Sequence, residues 1–190
     1  QAGMRANLGL VVIEFPSAYA SDADDYLQKG FAAHDSWCNN PLITSSIAPH
    51  APYTVSNKTL ESVVTYAEQL GLSIHTHLHE TLDEISQSEA TYGVRPMQRF
   101  DDLGLLGPNL IATHCVHLLK HEIDLLAEHG CYVAHCPTSN LKLASGTAPV
   151  SQLLAQGVTL GLGTDGAASN NRLDLFAEMR LSALLAKGTT

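Results

Sequence analysis

The sequence predicts an α/β fold of six consecutive strand–helix units, about six of the eight units of a (β/α)8 TIM barrel. Short apolar runs alternate with amphipathic helical patterns along the chain, which favours a parallel sheet covered by helices. No glycine-rich nucleotide loop follows the first run, as an open doubly wound sheet would require. A closed barrel needs about 250 residues. The 190 residues here are two units short, so residues 1–190 are interpreted as one partial barrel domain.

The predicted strands are short runs of apolar and β-branched residues between turn residues. They cover residues 8–15, 43–48, 72–77, 110–113, 131–134 and 158–163. The predicted helices have apolar residues at helical spacing and cover residues 21–36, 56–70, 82–92, 96–103, a stretch ending near 128, 150–156 and 173–186. Ser56 is the expected N-cap of the second helix. Gly71 and Gly130 are expected to end helices, because glycine readily adopts the left-handed conformation.

Composition excludes several classes of partner. The formal charge of −9 and the lack of basic clusters argue against nucleic acid and acidic membrane surfaces. No apolar run reaches the ~18 residues of a membrane span. The four cysteines have no CxxC spacing, so neither a zinc ribbon nor a disulfide framework is indicated, and a cytoplasmic location is expected. The chain begins without a start methionine and ends just after a helical pattern, so we expect a piece of a longer protein.

Three predicted strands end in residues that can bind a metal. Asp165 follows the last strand, His77 closes the third, and His114 follows the fourth. A single strand-terminal aspartate is more often a turn or helix-cap residue. Barrel strands, however, deliver such side chains to one catalytic face. Together the three residues predict one metal-centred site.

Five segments carry a resemblance to a known family. They are APHAPY at 48–53, HTHLHET at 75–81, THCVHL at 113–118, AHCPTSNLKLASG at 134–146 and LGTDGAASNN at 162–171. In this order they resemble the amidohydrolase superfamily of metal-dependent hydrolases. Within it they are similar to the branch of 5'-methylthioadenosine/S-adenosylhomocysteine deaminases and their s-triazine and hydroxyatrazine hydrolase relatives. The first barrel strand of that family carries a His-x-His metal-binding pair. No such strand opens this chain, so it would hold strands three to eight.

The resemblance implies a role for each of five residues. His77 is the third histidine ligand of the metal, and Asp165 is the carboxylate ligand. Imidazole and carboxylate donors suit Zn²⁺ above all, with Fe²⁺ as the alternative, and leave a position open for water. Glu80 contacts the substrate base and transfers a proton to its ring nitrogen. His114 orients the attacking water and stabilises developing negative charge, while His50 contacts the substrate.

The neighbouring histidines have simpler interpretations. His75 has the same two-residue spacing from His77 as a ligand pair, but a hydrogen-bonded histidine in the barrel wall is the favoured interpretation. His79 is expected in a loop near the site. His135, Ser139 and Asn140 are expected to line the pocket without taking part in catalysis.

The implied reaction is hydrolytic deamination of an aminopurine nucleoside with release of ammonia, in which Asp165 and Glu80 both move protons. The candidate substrates are 5'-methylthioadenosine, adenosine and S-adenosylhomocysteine. No arginine lies between Ala6 and Val94 to clamp a substrate carboxylate, which favours a neutral nucleoside. Two alternatives stay open: a chloro- or amino-s-triazine hydrolase, and a truncated, non-catalytic barrel. The parent protein is expected to be a homo-oligomer.

Overall fold

The computed structural model describes residues 3–188, which form one six-stranded parallel sheet with the order β1-β2-β3-β4-β5-β6. The strands are β1 (Ala6–Val12), β2 (Ile43–Pro49), β3 (Ser73–Leu78), β4 (Leu110–His114), β5 (Tyr132–His135) and β6 (Thr159–Leu162). Each strand pairs with the next one along the chain. The six predicted strands are therefore confirmed.

Eight helices lie within the described residues. They are α1 (Ala23–Trp37), α2 (Asn57–Leu70), α3 (Leu82–Tyr92), α4 (Pro96–Asp102), α5 (Lys120–Glu128), α6 (Pro137–Lys142), α7 (Val150–Ala155) and α8 (Leu175–Gly188). Seven of them match the predicted helices. The short α6 was not predicted. It begins with a proline, whose fixed φ suits the first helical position.

The strand order distinguishes a barrel from a doubly wound sheet. A doubly wound sheet reverses its strand order at a switch point, whereas here the order follows the sequence without a reversal. Right-handed crossovers between neighbouring parallel strands then place the helices on one face of the sheet. The fold is thus a six-unit arc of a (β/α)8 barrel, as predicted.

The hydrophobic core lies between the sheet and its helices. Alternate strand residues point to opposite faces, so Ile74 and Leu78 of β3 are buried against the helices while His75 and His77 lie on the other face. The core consists of buried apolar side chains, among them Val12, Leu27, Ile47, Leu60, Val63, Ile74, Leu78, Met97, Phe100, Leu110, Ile123, Leu126, Val133 and Leu153. This alternation is what directs the β3 histidines towards the inner face of the barrel arc.

The predicted end of the first strand was wrong. The strand was predicted to reach residue 15, but β1 ends at Val12, whose partner in the register is Pro49 at the end of β2. Beyond that point β1 has no strand to pair with. Instead, the Glu14 carboxylate accepts hydrogen bonds from Ser56 N (2.9 Å) and Thr59 Oγ1 (2.7 Å) at the start of α2.

The predicted helix ends around α2 are confirmed. Ser56 accepts a hydrogen bond from Thr59 N as the N-cap, and Gly71 closes the helix with φ = 63°. Gly130, with φ = 66°, follows α5 in the same way. Among residues 3–188, none of the helices combines the length and apolarity needed to cross a membrane.

Candidate active site

A cavity of about 280 Å³ lies at the carboxyl ends of the strands and on the adjoining inner face of the sheet. Parallel strands deliver their terminal residues to one edge, and this is where barrel enzymes bind their substrates. Three of the five predicted site residues line it, namely His50, His77 and Asp165. The other lining residues are Val11, Ala48, Pro49, His75, Thr76, Thr113, Ala134, Cys136 and Gly163.

His77 is held in one tautomer by the backbone. Its Nδ1 lies 2.5 Å from the carbonyl oxygen of His50. A carbonyl oxygen only accepts, so Nδ1 carries the proton and Nε2 keeps its lone pair. Within the described residues, Nε2 has no hydrogen-bond partner. Metal-binding histidines in proteins commonly donate their second ring N–H to a carbonyl in this way, so the state of His77 fits a metal ligand.

His114 lies beside His77 at the end of β4. The two rings stack with their centroids 5.2 Å apart and an interplanar angle of 15°. The backbone at His114 and Cys115 is left-handed, with φ values of 75° and 48°, and turns the chain out of the strand. The His114 side chain is 1% exposed. Burial lowers the pKa of its imidazole, against the opposing effects of Glu80 and Asn140.

The proton-transfer candidate Glu80 faces His114 across the site. Glu80 Oε2 is 3.7 Å from His114 Nε2, and Glu80 Oε1 accepts a hydrogen bond of 3.4 Å from Ser145 Oγ. The Glu80 backbone is fixed by Glu84, whose carboxylate accepts the N–H groups of His79 (2.6 Å) and Glu80 (3.0 Å). Burial raises the pKa of Glu84 to about 7, although these two bonds oppose the shift.

Asp165 follows β6 in a left-handed conformation, with φ = 58°. Its Oδ2 accepts hydrogen bonds from Ser139 Oγ and Ser169 Oγ, each at 2.7 Å, and its Oδ1 accepts one from Gly166 N at 2.7 Å. Burial alone would raise the pKa of this carboxyl. The three hydrogen bonds outweigh burial and hold the pKa below its ordinary value, so the residue is a carboxylate at neutral pH.

His50 follows β2 and is half-buried. Its Nδ1 lies 3.1 Å from Thr54 Oγ1, and its ring centroid lies 4.9 Å from that of His77. Burial and the neighbouring His77 both lower the pKa of His50, while Glu80 opposes them. A neutral imidazole at the cavity wall can donate or accept a hydrogen bond with a substrate.

His75 and His79 have different surroundings. His75 lines the cavity, and its Nε2 lies 2.9 Å from Thr113 Oγ1 on the adjacent strand, in keeping with the predicted place in the barrel wall. His79 is fully buried in the loop after β3. Its Nδ1 donates to the carbonyl of His117 (3.1 Å), and its Nε2 accepts from Met97 N (3.0 Å). His79 thus joins loops and does not line the cavity.

Ser139 and Asn140, which were predicted as pocket wall, each contact a predicted catalytic residue. Ser139 donates to Asp165, and Asn140 Oδ1 lies 2.8 Å from His114 Nδ1. Sequence reasoning singled out neither contact, and it missed Ser145 entirely. The signal available was a run of small polar residues directly after a strand end, where barrel enzymes place functional groups.

Two side chains at the cavity have the chemistry of metal ligands. His77 offers an unprotonated nitrogen and Asp165 a carboxylate, and both face the same cavity. Within residues 3–188, no group of three or more His, Cys, Asp or Glu side chains is close enough together to hold a metal. The chain therefore offers two fitting ligands, fewer than the three protein ligands of a catalytic zinc site.

The fold and the strand-end site define a class of protein. The sequence profile of the amidohydrolase family matches residues 2–190, so the chain belongs to the amidohydrolase family. Among its relatives is a 5-methylthioadenosine/S-adenosylhomocysteine deaminase from Teredinibacter turnerae. The two are 49% identical over 190 residues, which cover 98% of this chain and 42% of the relative.

Two solved structures show the same arrangement. An adenosine deaminase from Xanthomonas campestris with bound zinc superposes with a TM-score of 0.95 at 50% identity, over 97% of this chain and 42% of that one. The atrazine chlorohydrolase TrzN from Arthrobacter aurescens TC1, complexed with zinc, gives a TM-score of 0.88 at 25% identity. The match covers 96% of this chain and 42% of that one. The chain thus spans about 42% of the length of the relatives it matches.

Proposed function

We propose that this chain carries part of the active site of an enzyme that hydrolytically deaminates an aminopurine nucleoside. The supporting observation is the convergence of His77, His114 and Glu80 beside the cavity that Asp165 also lines. Proton-transfer groups and a metal-binding pair at one point are what removal of an aromatic amine by water requires. The names of two relatives, deaminases at 49% and 50% identity, support the same reaction.

The metal in this proposal is zinc, with Fe²⁺ as the alternative. His77 Nε2 and the Asp165 carboxylate would bind it, together with ligands from outside this chain. A zinc ion supplies Lewis-acid chemistry that makes water a nucleophile at neutral pH. Zinc is present in both solved relatives described above.

Each proposed site residue of this chain then has a defined role in the reaction. Asp165, a carboxylate at neutral pH, accepts a proton from the attacking water and later gives it to the departing amine, so that ammonia leaves. Glu80 donates a proton to the ring nitrogen next to the reacting carbon, and it takes a proton back from the added hydroxyl group as the product carbonyl forms. His114 orients the attacking water, whose O–H the unprotonated Nε2 can accept. His50 contacts the substrate at the cavity wall.

The favoured substrate is a neutral nucleoside such as 5'-methylthioadenosine or adenosine. A substrate carboxylate is best bound by arginine, and the first two arginines after Glu80 have other partners. Arg95 forms a salt bridge of 2.7 Å with Glu122, and Arg99 donates to the backbone of the β2–α2 loop. Neither guanidinium lines the cavity. S-adenosylhomocysteine would need a clamp from outside this chain.

Ammonia release by the full-length, zinc-loaded protein tests the proposal. We expect turnover of 5'-methylthioadenosine and adenosine, and little turnover of chloro- or amino-s-triazines, because identity to the triazine hydrolase is only 25%. Preferential triazine turnover would favour that alternative. The 190-residue chain alone, with two fitting ligands, is expected to bind zinc weakly and to show no turnover. A full-length protein without zinc or turnover would favour the non-catalytic barrel.

A further inference from the structure

One short segment contacts three of the proposed catalytic residues at once. We call residues 139–145, which comprise most of α6 and the turn after it, the clamp segment. Its side chains reach groups on three different strand ends. The contacts are Ser139 Oγ to Asp165 Oδ2 at 2.7 Å, Asn140 Oδ1 to His114 Nδ1 at 2.8 Å, and Ser145 Oγ to Glu80 Oε1 at 3.4 Å.

The clamp segment is itself firmly held. Ser145 N donates to Asn140 O at 2.8 Å, and the Ser145 carbonyl accepts a hydrogen bond of 2.7 Å from His117 Nε2. The next residue, Gly146, has φ = 123°, and a Cβ atom there would lie 2.9 Å from Val116. Asn140 is 1% exposed and Ser145 6%. These bonds and the tight packing leave the segment little freedom to move its polar side chains.

Burial of the Asn140 amide costs free energy, and its side chain makes one hydrogen bond. Its Oδ1 accepts from His114 Nδ1, but its Nδ2 is buried without a hydrogen-bond partner among the described residues. A buried amide with an unpaired NH2 destabilises a fold relative to an apolar residue of the same shape. The bond to His114 is therefore the contribution that an apolar side chain could not make.

The bond from Asn140 also determines which His114 nitrogen carries the proton. Because Oδ1 only accepts, Nδ1 holds the proton, and Nε2 is the atom that faces Glu80 Oε2 at 3.7 Å. That distance is longer than a hydrogen bond. A direct bond between the two groups would occupy the atoms that must act on substrate. Asn140 instead bonds to the other ring nitrogen of His114, and Ser145 bonds to the other carboxylate oxygen of Glu80.

On the basis of the proposed function, we propose that Asn140 and Ser145 are positioning residues. Asn140 fixes the tautomer and ring orientation of His114, and Ser145 fixes the carboxylate of Glu80. Together they keep the two groups apart and directed at the same point. Because the two residues act through one pair of reacting groups, their effects on turnover are coupled.

Variants of the full-length, zinc-loaded protein test this proposal with 5'-methylthioadenosine. Asn140→Leu keeps the shape without the acceptor and is expected to lower kcat about 10- to 100-fold, as for a misplaced reacting group, with KM nearly unchanged. Asn140→Asp keeps an acceptor for His114 Nδ1 but adds a negative charge beside it, which holds the proton on Nδ1, so this variant should retain more of kcat than Asn140→Leu. Ser145→Ala should lower kcat about tenfold. The double variant Asn140→Leu/Ser145→Ala should lose less than the product of the single losses. The matched control is Leu141→Ala, in the same helix and 45% exposed, which should leave kcat unchanged.

A second readout does not depend on turnover. Nitrogen-15 NMR of the histidine rings reports the His114 tautomer, which is expected as Nδ1–H in wild type and in Asn140→Asp, and as a mixture in Asn140→Leu. An unchanged kcat and tautomer in Asn140→Leu, or equal losses in the Leu and Asp variants, would overturn the proposal. Should Asn140→Leu fail to fold, full activity in Ser145→Ala would also overturn it. A wild type without nucleoside turnover would contradict only the proposed function, since the tautomer is still measurable.

Discussion

Replacement of Glu80 by glutamine separates its proposed role in proton transfer from binding of metal. The substitution keeps the size of the side chain and an oxygen that can still accept from Ser145, but it removes the acid–base group. The hydrogen bond from Ser145 Oγ to Glu80 Oε1 is long, 3.4 Å, and the Glu80 side chain is 16% exposed. We therefore expect the free energy of unfolding to change by less than about 1 kcal/mol.

The loss of turnover in Glu80→Gln should correspond to a much larger free energy than the change in the free energy of unfolding. A positioned proton-transfer group contributes about 10²- to 10⁴-fold to turnover. This corresponds to about 3–5 kcal/mol in the activation barrier. Zinc content should stay at the wild-type level, because Glu80 is not among the proposed ligands.

The assay compares ammonia release, zinc content and melting temperature of the full-length wild type and variant. Glu89→Gln is the matched control, because Glu89 lies exposed on α3 and undergoes the same loss of charge. It should leave all three quantities unchanged. Loss of zinc together with turnover in Glu80→Gln would refute the reasoning and make Glu80 a ligand. Turnover within a few-fold of wild type would exclude it from the proton path.

Three further outcomes are expected of the full-length protein. Asp165→Asn should keep part of its zinc but lose nearly all turnover, and zinc titration should not restore it; recovery of activity at saturating zinc would leave Asp165 as a ligand only. Arg99→Met removes hydrogen bonds to two backbone carbonyls and one side-chain oxygen, and urea unfolding should show a loss of about 3–5 kcal/mol; a loss below 1 kcal/mol would contradict this. Burial lowers the pKa of His79 to about 4 from an ordinary 6.5. The unfolded chain therefore binds the proton first, and stability present above pH 6.5 should fall by about 3 kcal/mol as the pH drops to 4. His79→Gln should lack this component, and an identical pH profile would disprove it.

The alternation of strands and helices was predictable because it depends on local patterns. Core-facing residues repeat with a period of two in strands and 3.6 in helices, and both periods are visible without knowledge of the fold. Caps such as Ser56 and Gly71 are local in the same way. The end of β1 was not predictable, because it depends on the register with Pro49, 37 positions along the chain from Val12.

The sequence by itself determined the six units, the family resemblance and the strand ends that hold His77, His114 and Asp165. Within the 75–79 stretch, the family resemblance and not the spacing gave the three histidines different roles. Only the tertiary structure shows what holds each ring, because their partners, His50, Thr113 and His117, come from other elements.

The contacts of the clamp segment were likewise decided only by the fold. They join residues 26 and 65 positions apart, which meet because parallel strands bring their carboxyl ends to one edge. A residue's type and local spacing indicate which chemistry it can perform. Which groups it faces, and in which tautomer or charge state, is set by packing between distant segments, and so became visible only in the folded chain.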